Sequence, residues 1–215
     1  IKVIGKGSSN GIDTNHFQRS QEIILRAGEF RKDNEIPADA VVLCFVGRLV
    51  RDKGIEELVA AFKRLKMENN YLLLLGEYED QREPLNSDTK NEIQHNKRIL
   101  SMGFQSDIRM YLAASDIFVF PSYREGFPNA LLQACAMGLP SIATNINGNN
   151  EIISPDENGL LVDVKNVDKL KEAIELLGTN KSLRNNLAAK ARSSIMDYDQ
   201  ENVWRLILNE YNSLV

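Results

Sequence analysis

The stretch VVLCFVGRLVRDKG at residues 41–54 decides the fold class of this chain. Its first six residues are continuously apolar, which is typical of a strand buried on both faces of a parallel sheet. Gly47 follows at once, and Gly54 then precedes a helical pattern that begins near Ile55. A buried strand, a tight loop bounded by glycines and a helix together predict one βα unit of an α/β protein.

The same alternation of strand and helix continues along the chain. Apolar runs predict further strands at 71–75, 98–102, 116–120, 140–144 and 160–162. Helices are predicted at 55–67, 88–96, 107–114, 129–137, 149–153, 167–177, 181–195 and 200–214. Strands that alternate with helices form parallel sheets through right-handed crossovers. We therefore expect a doubly wound parallel sheet with helices on both faces, in which the first five strands take the order 3-2-1-4-5.

Length and composition limit the classes of protein that this chain can be. Its 215 residues suit one full-sized domain. The formal net charge of -4 and the lack of a long basic run argue against a nucleic-acid-binding surface, so no nucleic acid is expected as a partner. Cys44 and Cys135 lie in apolar patterns without metal-ligand spacing, and we interpret both as buried thiols in a reducing compartment. With no apolar stretch of membrane-spanning length and no signal segment, a soluble, cytoplasmic domain is expected.

Ligands of an open α/β sheet bind beyond the carboxyl ends of the two central strands, where the connections leave in opposite directions. That rule selects the loops after Val46 and Phe120. In the first loop, Arg48 offers a planar fork of donors and Lys53 offers an ammonium, a pairing that suits phosphate oxygens. The alternative is a solvated loop with ordinary surface cations, which we favour for Arg51 but not for the other two.

The second loop reads PSYREGFPN from residue 121 and continues as a helix. Pro128 is expected at the first helical position, because proline lacks the N–H that would be unpaired there. The free N–H groups of Asn129 and Ala130 would then form a second cradle for an anion. Glu125 just before the helix and Gln133 on it could meet the two ends of a ligand that crosses the helix start. The alternatives are an acid that caps the helix or complements its dipole for Glu125, and an ordinary amide on the helix face for Gln133.

At these residues the chain resembles family 4 of the retaining glycosyltransferases, which adopt the two-domain GT-B fold. The resemblance rests on Gly47-Arg48 with Lys53-Gly54, on SYREGFPN at 122–129, on ACAMGLP at 134–140 and on GLLV at Gly159–Val162. It covers essentially the whole chain as the C-terminal, donor-binding domain of that family. The implied fold is the Rossmann-like C-terminal half of a GT-B enzyme.

The resemblance implies a site for a nucleoside-diphosphate sugar. Arg48 and Lys53 match the positions that hold the diphosphate, and Glu125 matches the position at the transferred sugar. These three are the catalytic residues that the resemblance implies. The implied donor-binding residues are Gly47, Arg48, Lys53, Phe104, Gln105, Glu125, Gly126, Phe127, Pro128, Asn129, Ala130 and Gln133.

Two details of the implied site concern its chemistry. Gln133 stands where the family has a glutamate that binds the ribose hydroxyls; an amide can still accept and donate, but it loses a charge-assisted bond. The implied mechanism needs no metal ion and no other cofactor, because cations and helix-terminal N–H groups neutralise the departing diphosphate. His16 and His95 fall in polar stretches and are interpreted as solvated.

The resemblance also implies a domain organisation. Residues 1–20, including the segment Asn10-Gly11-Ile12-Asp13, are expected to be an interdomain connector with a strand remnant, and residues 21–196 the nucleotide-sugar-binding domain. Residues 197–215 are expected to form a helix that returns to an absent N-terminal domain, and the fragment is expected to be inactive alone. The implied partners are a UDP-sugar as default donor, the missing N-terminal domain, and a saccharide or lipid-linked acceptor of surface polysaccharide synthesis. The full-length protein would then work in the cytoplasm or at the inner face of the membrane.

Three other functions remain open. A dinucleotide-dependent oxidoreductase would need a Gly-x-Gly-x-x-Gly turn, and Gly47-Arg48-Leu49 lacks its second glycine. An epimerase of the same architecture would use the same kind of donor. A degenerate domain, indicated by Gln133, would bind a nucleotide sugar or a partner without catalysis.

Overall fold

The computed structural model describes residues 10–79, 81 and 83–213, and these contain one six-stranded sheet. The strands are β1 Val41–Val46, β2 Asn70–Leu75, β3 Ile99–Ser101, β4 Ile117–Phe120, β5 Ser141–Thr144 and β6 Gly159–Val162. All are parallel, in the order β3-β2-β1-β4-β5-β6. The predicted order and the predicted α/β class are therefore confirmed, and β1 and β4 are neighbours at the point where the winding reverses.

Nine α-helices connect and cover these strands within the described residues. They are α1 Gln21–Asp33, α2 Ile55–Lys63, α3 Ser87–His95, α4 Arg109–Ala113, α5 Asn129–Ala136, α6 Asn149–Ile152, α7 Val167–Thr179, α8 Lys181–Ala191 and α9 Gln200–Asn212. Most predicted elements begin and end within two residues of those observed. Residue 214, the predicted end of α9, and the predicted strand remnant at residues 1–4 lie outside the described part of the chain.

One helix, α1, was missed by the sequence analysis. The side chain of Ser20 accepts a hydrogen bond from the N–H of Ile23 and so caps the helix. Ile23, Ala27 and Phe30 are its buried residues, and this spacing places them on one face. That face packs against α4, where the rings of Phe30 and Tyr111 meet edge to face.

Two helices end earlier than predicted. Helix α2 stops at Lys63, and beyond its end the N–H of Lys66 donates to Oε1 of Glu175 in α7. Helix α8 stops at Ala191 and is followed by a 3-10 helix at Ser193–Tyr198. The buried residues of that segment, Ile195 and Tyr198, are three positions apart, which suits three residues per turn.

The core lies between the central strands and the helices on either side. The four middle residues of β1 and all of β4 are buried, as continuous apolar strands between two helix layers should be. Cys44 in β1 and Cys135 in α5 are free, fully buried thiols, which confirms the predicted burial. Burial raises the pKa of each thiol to about 12.

The first described residues pack against the start of the last helix. The N–H of Ile12 donates to the carbonyl of Tyr198, and the N–H of Gln200 donates to the carbonyl of Ile12. Helix α9 buries only Val203 and exposes Trp204, Leu208 and Tyr211. In the part of the chain that the structure describes, every helix is too short or too polar to cross a bilayer.

Candidate functional site

The loop after β1 continues the hydrogen-bonded ladder beyond the strands. The N–H of Gly47 donates to the carbonyl of Leu75, and the N–H of Leu49 donates to that of Glu77. Gly76 is required here, since a Cβ atom on it would lie 1.9 Å from the carbonyl oxygen of Gly47. Arg48 is therefore carried by a backbone segment that neighbouring loops hold in place.

Lys53 and Glu125 form a largely buried ion pair between the two loops that the switch-point rule selected. The distance from Nζ to Oε1 is 2.7 Å, and the side chains are only 16% and 10% exposed. No side chain caps α5, so the structure gives Glu125 no role as a helix cap. The first loop thus supplies a cation, and the second supplies the carboxylate that balances it.

Arg48 takes a different partner that the sequence analysis did not name. Its guanidinium donates to Oε2 of Glu79 across 2.6 Å, and both side chains are close to half exposed. Glu79 follows β2, the strand beside β1, and so lies at the same carboxyl edge of the sheet as the two loops that the switch-point rule selected. Arg48 and Lys53 therefore come from one loop but are paired with carboxylates from two others.

Arg48 and Glu79 line a cavity of about 380 Å³ together with Gly47, Phe104 and Gln105. The structure thus brings together four of the residues predicted for the donor site. Phe104 is highly exposed. The amide of Gln105 donates to the carbonyl of Met102 across 2.7 Å, which leaves its oxygen available as an acceptor.

The start of α5 differs from the prediction in two respects. Pro128 is the residue before the helix, and its angles, φ -83° and ψ 76°, are those of an inverse γ-turn. In that turn the N–H of Asn129 donates to the carbonyl of Phe127 across 3.0 Å, so it is not free to bind an anion. The N–H of Ala130 has no acceptor among the described residues. The predicted cradle is reduced to this one backbone donor.

Gln133 and residues 10–13 line a second cavity, of about 270 Å³. Its lining includes Asn10, Asp13, Phe127, Asn129 and Gln133. The side-chain amide of Gln133 has no hydrogen-bond partner within the described residues. Gln133 therefore lies beside Asn10 and Asp13, and it is not among the residues that line the cavity with Arg48.

A buried polar network supports the segment that contains Glu125. The hydroxyl of Thr144 donates to the carbonyl of Ser122, and the amide of Asn149 donates to both oxygens of Thr144 across 3.1 Å. The next support is Gly148, where a Cβ atom would lie 3.1 Å from Cδ of Pro128. These residues were not predicted, although they follow β5, the neighbour of β4. They contact the loop after β4 and so support its conformation.

Tyr123 and Asp52 join the two loops directly. The N–H of Tyr123 donates to the carbonyl of Asp52 across 2.8 Å, and its hydroxyl donates to Oε1 of Glu57 across 2.6 Å. Burial, reinforced by the carboxylate of Glu57, raises the pKa of the Tyr123 hydroxyl well above its usual range. Tyr123 therefore stays a neutral donor that fixes the loop after β4 against α2.

Within the described residues, neither a metal-binding cluster nor a histidine contributes to this site. Among residues 10–79, 81 and 83–213 there is no group of three His, Cys, Asp or Glu side chains that could hold a metal ion. His16 and His95 are exposed, as predicted, and neither lines the two cavities described above.

Comparison with known proteins gives consistent matches along the chain. The model of the family "Glycosyl transferases group 1" matches residues 27–194. The capsular polysaccharide biosynthesis glycosyltransferase CapM of Staphylococcus aureus is 31% identical over all of this chain and 56% of its own length. An alpha-1,3-N-acetylgalactosaminyltransferase of Campylobacter jejuni, named for an N,N'-diacetylbacillosaminyl-diphospho-undecaprenol substrate, is 32% identical over 86% of this chain and 48% of its own length. The chain thus spans about half the length of these relatives.

Solved structures match the fold. Anabaena Alr3699/HepE in complex with UDP and glucose superposes with a TM-score of 0.84 at 22% identity, over 95% of this chain and 55% of that protein. The C-terminal domain of the group 1 glycosyl transferase LpcC from Francisella tularensis has a TM-score of 0.74 at 26% identity, over 86% of this chain and 96% of that domain. This chain therefore belongs to the group 1 glycosyl transferases and has the fold of the C-terminal half of a GT-B enzyme.

Proposed function

We propose that this chain is the donor-binding half of a retaining glycosyltransferase that transfers a hexose or hexosamine from a UDP-sugar to a saccharide or lipid-linked acceptor. The observation that carries the proposal is the ion pair of Lys53 and Glu125 at the carboxyl ends of β1 and β4. Removing two charges from water costs free energy that their attraction often fails to recover, so such a pair is poorly explained by stability alone. Buried charges in the ligand crevice of an α/β sheet are better explained by binding and catalysis.

The proposed donor lies across the two loops. Its base is placed against the exposed ring of Phe104, its diphosphate between Arg48 and Lys53, and its sugar at Glu125. The free N–H of Ala130 supplies a further donor to a phosphate oxygen. The rest of the proposed donor site is lined by Gly47, Gln105, Gly126, Phe127, Pro128 and Asn129.

Gln133 is proposed to bind hydroxyl groups of the ribose through its unpaired amide. Its position supports a contact on the connector side of α5, because it shares a cavity with Asn10 and Asp13. A donor that contacts both Gln133 and Arg48 must therefore cross the start of α5, where Ala130 lies.

The proposed reaction breaks the bond between the anomeric carbon and the diphosphate oxygen. Negative charge then accumulates on the diphosphate, where Arg48, Lys53 and the N–H of Ala130 stabilise it, so that no metal ion or other cofactor is needed. The acceptor hydroxyl attacks from the face that the diphosphate leaves and gives its proton to the departing diphosphate oxygen, and the anomeric configuration is retained. Glu125 orients the sugar for that attack.

The relatives support the proposed pathway and substrates. CapM is named for capsular polysaccharide biosynthesis, and the Campylobacter jejuni enzyme is named for a lipid-linked diphospho-undecaprenol substrate. HepE was solved with UDP and glucose. By analogy, the proposed donor is a UDP-sugar, and the proposed place of work is the cytoplasm or the inner face of the membrane.

The acceptor site is proposed to lie on an N-terminal domain that is not part of this chain. Residues 1–20 are then the connector, residues 21–196 the donor-binding domain, and residues 197–215 the helix that returns to the other domain. The exposed side chains of Trp204, Leu208 and Tyr211 on α9 support such a contact, because clustered apolar exposure is typical of an interface. The chain alone is proposed to bind donor without transferring its sugar.

Calorimetry with the full-length protein that contains this chain tests the proposal. Titration with UDP, GDP, ADP and NAD should show binding to a nucleoside diphosphate, with UDP as the tightest ligand. Binding to NAD but to no nucleoside diphosphate would exclude a glycosyltransferase. Binding of a nucleotide sugar without transfer or hydrolysis would instead favour a non-catalytic module, and formation of an epimeric sugar would favour an epimerase.

A further inference from the structure

Glu79 is placed beside Arg48 by the backbone and not by side-chain flexibility alone. Beyond the ends of β1 and β2, a parallel bridge joins Leu49 to Tyr78, next to the hydrogen bond from Leu49 to Glu77. The absence of a Cβ atom at Gly76 lets the two loops approach to this distance. A carboxylate at position 79 is thereby held within reach of the guanidinium of Arg48.

The cavity that these residues line is not a simple anion site. Arg48 is the one cationic side chain among its described lining residues, whereas Glu77 and Glu79 are both acidic. The described lining thus contains two acidic side chains and one basic side chain. An incoming diphosphate would therefore find Arg48 already paired with the carboxylate of Glu79.

The two cations of the first loop differ in how easily they can change partners. Lys53 and Glu125 are 16% and 10% exposed, so their ion pair is shielded from water. Arg48 and Glu79 are 45% and 40% exposed. Exposed ion pairs are weak and screened by salt, so a ligand can displace one carboxylate of such a pair at little cost.

We propose that Glu79 occupies Arg48 in the empty site and is displaced by the diphosphate of the donor, so that it sets nucleotide affinity. This inference rests on the proposed function, since it needs Arg48 as a diphosphate ligand. Glu79 lowers affinity in two ways: it competes for the guanidinium, and after displacement its charge repels the phosphates. The nucleoside diphosphate product carries an additional ionisable oxygen on its terminal phosphate compared with the donor. Glu79 therefore opposes the product more than the donor and favours product release.

Calorimetric titration of the full-length protein with UDP tests this proposal, with Glu79→Gln as the variant. Glutamine has nearly the same size but no charge, so the variant should bind UDP about two- to fivefold more tightly than the wild type. The gain should be smaller for the UDP-sugar and should shrink as salt is raised. Glu77→Gln is the matched control, because it removes a charge from the same cavity but not from the ion pair. It should change the affinity less than Glu79→Gln does.

A double variant separates partner exchange from general charge. In an Arg48→Ala background, the gain from Glu79→Gln should fall to that of the Glu77→Gln control. Unchanged or weaker UDP binding by Glu79→Gln, or an equal gain from Glu77→Gln, would overturn the role of Glu79. A wild-type protein that binds no nucleoside diphosphate would instead overturn the proposed function on which this role depends.

Discussion

Replacing Lys53 by methionine should destabilise the folded chain, because it leaves the carboxylate of Glu125 buried without its counter-charge. Breaking a fully buried ion pair typically costs about 3–5 kcal/mol. The two side chains keep a small exposed fraction, 16% and 10%, through which water can reach them. We therefore expect the free energy of unfolding to fall by about 2–3 kcal/mol, at or just below the lower limit of that range.

A double-mutant cycle isolates the interaction from other effects of the substitutions. The cycle uses Lys53→Met, Glu125→Gln and the double variant, with the free energy of unfolding from urea denaturation followed by far-ultraviolet circular dichroism. The double variant should be more stable than the sum of the single changes predicts, by a coupling energy of about 1–2 kcal/mol. The exposed pair of Arg64 and Asp168 supplies the matched control, for which the coupling should stay below about 1 kcal/mol. Additivity of the Lys53 and Glu125 substitutions within about 0.5 kcal/mol would refute the reasoning.

Three further predictions concern the donor site, its support and the core. Arg48→Ala in the full-length protein should lower donor affinity or turnover about tenfold or more, whereas Arg51→Ala should have little effect; wild-type kinetics for both would remove Arg48 from the site. Gly148→Ala should cost about 1–3 kcal/mol in urea denaturation and also lower turnover, because φ is +87° and the new Cβ would press on the loop after β4. Cys44 and Cys135 should resist a thiol reagent at pH 8 until the protein is unfolded. Because their folded pKa of about 12 exceeds the ordinary value of 9.0, the unfolded state loses these protons first, and stability should fall as pH rises from about 9 towards 12. A Cys44→Ala, Cys135→Ala variant should reduce that slope, and rapid labelling of the native protein would contradict the burial.

The sheet could be predicted because its signal is local and strong. The apolar run Val41–Val46 and the glycine-bounded loop after it have few structural solutions, and the order of the strands follows from general rules for crossovers. The same rules selected the loops that contain Lys53 and Glu125, and the structure brings these two residues into contact. The ion pair itself was not predicted, since Lys53 was expected to bind the diphosphate and Glu125 the transferred sugar.

The rest of the site depends on contacts that sequence patterns do not encode. Glu79 is one of several acidic residues in the loop after β2, and long-range backbone contacts such as the bridge between Leu49 and Tyr78 bring it beside Arg48. The N–H of Asn129 donates to the carbonyl of Phe127 in a turn at Pro128. Proline fixes φ but not ψ, so the sequence does not determine this turn. Helix α1 was not predicted because its apolar face is short and its remaining residues are mostly polar or charged.

The main chain, more than the side chains, sets the geometry of this site. Gly76 and Gly148 allow backbone from neighbouring loops to pack closely on either side, and the hydrogen bond from Tyr123 to Asp52 fastens the two central loops together. The backbone that carries the two cations is consequently fixed before a ligand arrives, which reduces the ordering cost of binding. What remains adjustable is the choice of partner, since a guanidinium or ammonium exchanges one anion for another by rotation of its side chain. Such a site can be preorganised for a diphosphate and still release it, because the carboxylates of Glu79 and Glu125 can pair with the cations when the diphosphate leaves.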